Sequence, residues 1–329
     1  MKTILWGNYK GGVGKTTSVY QVATFFAQEG KKVLLIDLDP QCSLSNICCN
    51  ANGDNLSDYK IDNVLNYLIE LYSRYINSKN DFDFSLLAGK INDCISNIVE
   101  KSFIEIEKFK NHLYFIPSSI SFENCRLNEL AQRMWENIHN IFLFHLLITD
   151  IKNSEPKFDY VFIDCPPTSN ILIQSAFLES DYYIIPTIID EISANGVTDY
   201  ISEIEKTRRK YTMNDAIGSI LIEKVFCEKT KLIGIFETLY KNRNGNSAKQ
   251  EMISSLDDNI NKIPNMKSLI SNDKFNEYRH NNTKNIFDYC IYHKDSRSTG
   301  DSVPQNTSQG VSNELYKNIS DAIIDILEN

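Results

Sequence analysis

The chain has 329 residues, 42 % of them hydrophobic and 23 % charged, with a formal net charge of −9. That length and apolar content suit a large globular core rather than a disordered or low-complexity chain. The acidic balance argues against whole-surface attraction to nucleic acid or anionic lipid, so any such binding has to come from a local basic patch. The eight cysteines show no CxxC spacing and no accompanying histidine cluster, the pattern of free thiols in a reducing compartment rather than a disulfide framework.

In chain order, "TILWGN" reads as a short apolar strand and "GKTTSVYQVATFFAQEG" as a helix. Val19, Val22, Ala23, Phe26 and Ala27 recur at helical spacing, and Gly30 stands where a helix stop belongs. "KKVLLIDLDP" follows as a strand with an unbroken apolar run, the signature of a strand covered on both faces. Residues 51–111 are polar and irregular around a helical "VLNYLIELYSRYI", and are expected to form an insertion, or a lid-like or partner-specific extension, within a single domain spanning 1–329. "HLYFIPSS", "FDYVFIDCPP", "DYYIIPTIID" and "IGSILIEKVF" (217–226) read as further strands, with "NGVTDYISEIEKTRRKY" as an intervening helix. Residues 293–312, rich in Ser, Thr and Gly, read as a flexible loop, and the tail "SNELYKNISDAIIDILEN" as an amphipathic helix. Strand–helix alternation predicts an α/β fold: a doubly wound, mostly parallel sheet with helices on both faces. No apolar run approaches the ~18 residues needed to span a bilayer, and the opening "MKTILWGNY" is too short for a signal peptide, so no stable membrane insertion is expected.

The chemistry concentrates between the first strand and the first helix. In "NYKGGVGKTTS", Gly11, Gly12, Val13, Gly14, Lys15, Thr16 and Thr17 form a strand–glycine turn–helix arrangement. Backbone N–H groups of such a turn converge on phosphate oxygens, and the helix N-terminus adds partial positive charge. Lys15 would neutralise β- and γ-phosphates, and the Thr16 hydroxyl would coordinate Mg²⁺. Asp37 and Asp39 end the second strand, and Asp164 ends the strand "YVFID". Carboxylates at strand C-terminal ends lie where ligands bind in open α/β sheets and can orient the waters of a hard cation.

"YKGGVGKTT", "DLDPQ", "DYVFIDCPP" and "DYYIIPTIIDEISANGV" resemble the deviant Walker A ATPases of the ParA/MinD superfamily, and most of all its small ParA-type, Soj-like, partition ATPases. The resemblance covers residues 3–45 and 157–200 well and the last third loosely. It implies the P-loop NTPase fold and ATP with Mg²⁺ as cofactors. It implies a catalytic set of Lys10, Lys15 and Asp39, a metal set of Thr16, Asp37 and Asp164, and Thr17 on the α-phosphate. Lys10, the extra lysine ahead of the glycines, would cross a homodimer interface to the partner's phosphates, and Asp39 would position the attacking water. The usual base-contacting asparagine is missing from its expected place, so no adenine residue is named.

Relatives of this kind bind DNA without sequence preference as ATP dimers. They are released when a ParB-like centromere-binding partner stimulates hydrolysis. The resemblance therefore implies a cytoplasmic protein, nucleoid-associated in its ATP state, that partitions plasmid, chromosome or other large cargo. The chain starts at its first strand, so an operator-reading helix-turn-helix extension is not expected. Lys206, Arg209 and Lys210 cluster on one helix with Ile201 and Ile204 opposite, and Lys241, Arg243 and Lys249 form a second basic set. Of these, Lys206, Arg209, Lys210 and Arg243 are the candidate DNA contacts, although cations at a helix C-terminus also complement its dipole. A MinD-like membrane positioner needs a basic amphipathic tail, whereas this tail carries Asp321, Asp325 and Glu328 against Lys317. An iron–sulfur ATPase and a P-loop kinase or ligase are the remaining alternatives.

Overall fold

A computed structural model of the chain describes residues 1–78, 93–226, 229–240, 246–264, 275–280, 283–292 and 310–328. They form an eight-stranded sheet of order β3-β4-β2-β5-β1-β6-β7-β8. The strands are β1 (Lys2–Trp6), β2 (Val33–Asp37), β3 (Ile104–Glu105), β4 (Leu113–Ile116), β5 (Tyr160–Asp164), β6 (Tyr182–Thr187), β7 (Lys231–Tyr240) and β8 (Ile286–Tyr292). β3 runs antiparallel to β4, and every other pairing is parallel. The expected doubly wound sheet is therefore present, with one antiparallel edge.

Two apolar layers enclose it. One face carries α1 (Lys15–Gln28), α2 (Ser43–Asn52), the short α11 (Phe275–Tyr278) and α12 (Gly310–Glu328). The other carries α3 (Leu65–Asn77), α4 (Asp93–Lys101), α5 (Leu127–Met134), α6 (Leu143–Asn153), α7 (Ile171–Glu179), α8 (Glu191–Thr212), α9 (Gly218–Val225) and α10 (Asn246–Asn261). β1, β2 and β5 are buried on both sides, which is why their sequences run apolar without alternation. α1 starts at Gly14 and ends before Gly30, both at positive φ, with Glu29 N, Gly30 N and Lys31 N closing back on Phe25 O, Ala27 O and Phe26 O.

One expected strand is a helix. Residues 217–226 are not a strand: Gly218, at φ 72°, opens α9, whose Leu221 and Ile222 are buried while Ile220 is 83 % exposed. A short apolar run does not distinguish strand from helix, and the sheet position falls to β7, with β8 beyond it. Residues 79–92 of the 51–111 segment lie outside the described residues, and its described part belongs to the domain. That part supplies the crossover from β2 to β4, with Leu65, Leu68, Ile69, Tyr72 and Ile76 of α3 buried in the core. Residues 293–309 of the expected flexible loop lie outside the described residues, and 310–312 already belong to α12.

The tail helix packs onto the domain. Tyr316, Ile319, Ala322, Ile323 and Ile326 are buried in the layer with α1. At its end, Glu328 pairs with Lys31 at 2.6 Å and accepts a 2.7 Å hydrogen bond from the Tyr160 hydroxyl, and Lys2 Nζ donates to Leu327 O. No described helix is long and apolar enough to cross a membrane.

Candidate active site

Strand register assembles the site. Trp6 and Asp37 both stand opposite Asp164 at the C-terminal edge of the sheet, which sets the exit of β1 beside two carboxylates. From there the chain turns through Gly7–Gly14 into α1. Gly7 is obligatory for packing: a Cβ there would lie 1.6 Å from the Tyr200 hydroxyl oxygen of α8. Gly12 and Gly14 adopt φ of 71° and 73°, a region that side chains other than glycine enter at a cost.

Neighbouring strands hold the turn in place. The fully buried Asn8 donates from Nδ2 to Pro186 O at 3.0 Å and accepts at Oδ1 from Lys10 N at 2.9 Å. The Thr238 hydroxyl of β7 contacts Val13 O and lies 3.0 Å from Thr187 O. Tyr9, where the ordinary phosphate loop has a glycine, sets its ring edge-to-face on Tyr200 with centroids 5.2 Å apart.

The turn walls an open cleft of about 480 Å³. Lys10, Gly11, Gly12, Val13, Gly14, Lys15, Thr16, Thr17 and Asp39 all line it, so the structure brings together the phosphate loop, both lysines and one carboxylate. Ser43, Asn46, Ile47 and Asn50 of α2 form the opposite wall.

The three acids differ, and of them only Asp39 lines the cleft. Asp164 is fully buried, and neither of its carboxylate oxygens has a hydrogen bond of ordinary geometry. Its nearest cation is Lys15 Nζ at 3.6 Å. Burial raises the Asp164 carboxyl, while Lys15 and Thr16 pull it back down. Burial disfavours the Lys15 charge, but Asp164, Asp39 and Asp37 outweigh it and hold the ammonium above the ordinary lysine value. Asp37 is saturated instead: Oδ2 accepts from Ser45 N at 2.8 Å and Ser45 Oγ at 3.0 Å, and Oδ1 accepts from Asp39 N at 3.1 Å. Burial and the neighbouring Asp164 push Asp37 up to about 7 despite those donors. Asp39 is half-buried and accepts from Gln41 N at 2.9 Å, which closes the turn into α2. Cys165 is buried, and its thiol is pushed up by burial, the opposite of what a nucleophile needs.

Lys10, which lines the cleft, pairs with Asp190, with Nζ 2.6 Å from Oδ2 and side chains 28 % and 42 % exposed. The candidate DNA residues lie elsewhere. Lys206, Arg209 and Lys210 are exposed on the C-terminal half of α8, but Lys210 folds over Trp135, 4.5 Å from the ring centroid, and over Gln174 at 3.2 Å. Lys249 pairs with Glu237 at 2.6 Å, and Arg243 and Lys241 lie outside the described residues. Asn8, Ser45, Tyr200 and Thr238 escaped the sequence reading. Each is a single polar side chain whose role depends on contacts distant in the chain, and only the Ser45 position, just inside a helix after an acidic turn, carries a local signal.

Residues 1–218 match the AAA_31 family, described as an AAA domain. The chromosome-partitioning ATPase Soj of Treponema pallidum is 26 % identical over 231 residues, covering 70 % of this chain and 74 % of that protein. A plasmid partition protein of Borrelia burgdorferi has the same fold, with a TM-score of 0.54 and 18 % identity over 99 % of this chain and 97 % of its own. So does a variant of Cyanothece McdA in complex with ATP, with a TM-score of 0.66 and 16 % identity over 100 % and 96 %. With the glycine turn, both lysines and Asp39 in one cleft, and Asp37 paired with Asp164 at the strand ends, the chain belongs to the AAA_31 family of AAA domains, within the ParA/MinD superfamily of deviant Walker A ATPases.

Proposed function

We propose that this chain is an ATP-hydrolysing switch that dimerises with ATP, binds DNA without sequence preference and partitions or positions a large cargo. A ParB-like protein would stimulate its turnover. The observation that carries the reading is the fully buried carboxylate of Asp164, without a hydrogen bond of ordinary geometry and with Lys15 Nζ at 3.6 Å, beside the N-terminus of α1. A buried carboxylate held only by a cation at 3.6 Å keeps lone pairs unfilled, which is costly, and a hydrated hard cation together with a triphosphate would fill them. The residues fit that group: Thr16 and Asp164 offer hard oxygens next to the phosphate turn, and Asp37 steadies the loop beside them. Mg²⁺, when bound there, neutralises charge on the phosphates.

The chain's own groups do the rest. N–H groups of Gly11 through Thr17 and the Lys15 ammonium hold the phosphates in one orientation. Asp39, lining the same cleft, orients water for in-line attack. Lys10 lines the same cleft, where its ammonium can leave Asp190 for the γ-phosphate of a second subunit and stabilise charge on the transferred group. Turnover would then require two subunits. The tail helix, with its apolar face committed to the domain, favours this reading over a membrane-bound positioner. A cytoplasmic protein, nucleoid-bound with ATP, follows from the same reading.

Lys15→Ala tests it. The variant is expected to lose ATP affinity by at least about a hundredfold in calorimetry, with its circular dichroism unchanged. Wild-type affinity in that variant would remove the phosphate-site reading.

A further inference from the structure

We propose that Ser45 is a positioning residue that fixes Asp39 for hydrolysis and ties it mechanically to helix α3; this rests on the ATPase reading above. Ser45 sits at the start of α2 and donates from both N and Oγ to Asp37 Oδ2, at 2.8 and 3.0 Å. The other oxygen of Asp37 accepts from Asp39 N at 3.1 Å. A carboxylate at a helix N-terminus is favoured by the helix dipole, so Asp37 locks the start of α2 and the Asp39 turn to one point.

Ser45 also reaches the loop after β4. Its Oγ accepts from Ser118 N at 2.9 Å, and Ser118 Oγ donates to Asp37 O at 2.6 Å. A hydroxyl has one proton, here spent on Asp37, so accepting from Ser118 fixes its direction. The next residue, Ser119, is held by α3. Ser119 N donates to Asn66 Oδ1 at 2.9 Å, and Asn66 Nδ2 donates to Ser119 O at 3.0 Å and to Cys125 O at 2.7 Å. Leu65 N donates to Pro117 O at 2.8 Å. Asn66, Ser118, Ser119, Ser45 and Asp37 are each 0–1 % exposed. Water cannot substitute for these bonds, so a shift of α3 moves the loop after β4, and with it Ser45 and the Asp37–Asp39 turn. The crossover segment thereby gains a route to the hydrolytic carboxylate without touching the nucleotide.

Single-turnover ATP hydrolysis and nucleotide Kd are the readouts, on the full chain. Ser45→Ala is expected to lower the hydrolysis rate by about ten- to a hundredfold, the size that a small misplacement of a positioning group produces, while ATP Kd stays within about twofold. Ser45→Thr, which keeps the hydroxyl, is expected to restore most of the rate. Asn66→Ala, outside the cleft, is expected to lower the rate with Kd likewise kept, and the double variant to fall short of the product of the single effects. An unchanged rate in Ser45→Ala overturns the proposal, as does a parallel loss of affinity and rate, which would make Ser45 merely structural. If Ser45→Ala does not fold, Asn66→Ala decides alone: unchanged hydrolysis overturns the link. Absence of hydrolysis in the wild type would instead defeat the ATPase reading itself.

Discussion

The Lys10–Asp190 pair makes the proposed dimer testable without touching the phosphate turn. In the isolated chain the Lys10 ammonium lies 2.6 Å from Asp190, with side chains 28 % and 42 % exposed. A pair this open to solvent contributes about 0.2–1 kcal/mol. If Lys10 leaves Asp190 to reach the partner's phosphates, a symmetric dimer breaks two such pairs, a cost of about 0.4–2 kcal/mol. Asp190→Asn removes that cost while keeping the side-chain shape. The dimer with Mg²⁺ and a non-hydrolysable ATP analogue is therefore expected to tighten by about two- to thirtyfold. Sedimentation equilibrium at low ionic strength measures this, and the gain should shrink as salt screens the pair. A dimer no tighter than wild type at low salt, or a weaker one, would refute the idea that Asp190 restrains Lys10 in the monomer.

Two further outcomes follow from named groups. The Asp37 carboxyl, raised by burial and by Asp164 to about 7, binds its proton more tightly folded than unfolded. Its contribution to stability is full below the unfolded value of about 3.9 and is lost as pH rises through about 7. In metal-free, nucleotide-free protein, the stability of wild type relative to Asp37→Asn should fall between about pH 4 and about pH 7 and level off above that; a difference constant with pH in urea titrations would rule this out. Charge reversal at Lys206 and Arg209, both exposed on α8, is expected to weaken ATP-dependent retention on random DNA and to flatten its salt dependence by roughly one unit of slope per lost contact. Lys210, committed to Trp135 and Gln174, should matter less, and an unaltered salt titration in the double reversal would point to another surface.

What could be read in advance divides along physical lines. The glycine turn is local: glycines, Lys15 and Thr16 fall within one strand–turn–helix, so their spacing alone singles them out as candidates. The acids were visible because they end unbroken apolar runs, and parallel register then brings Asp37 opposite Asp164. Their different surroundings were not visible, since only the fold shows that Ser45 donates twice to Asp37 while Asp164 faces Lys15 at 3.6 Å. Residues 217–226 misled because a short apolar run fits either period, and α9 buries Leu221 and Ile222 while exposing Ile220. α3 looked like part of an insertion because its flanks are polar, yet its apolar stripe is core. A helical projection placed Lys210 in a basic patch, but it could not reveal Trp135, which arrives from α5's C-terminal end, as that helix's partner.

The central claim is that one subunit's glycine turn, Lys15 and Asp39 work only with Lys10 from a second subunit. Mixing Lys10→Ala with Asp39→Ala, each inactive alone, tests it most directly. In a mixed dimer the Lys10→Ala protomer keeps an intact cleft and receives a lysine from its partner, so statistical mixing should restore about a quarter of wild-type ATP turnover. If the mixture stays as inactive as its components while mixed dimers form, or if Lys10→Ala alone retains full turnover, Lys10 does not act across the interface and the account fails.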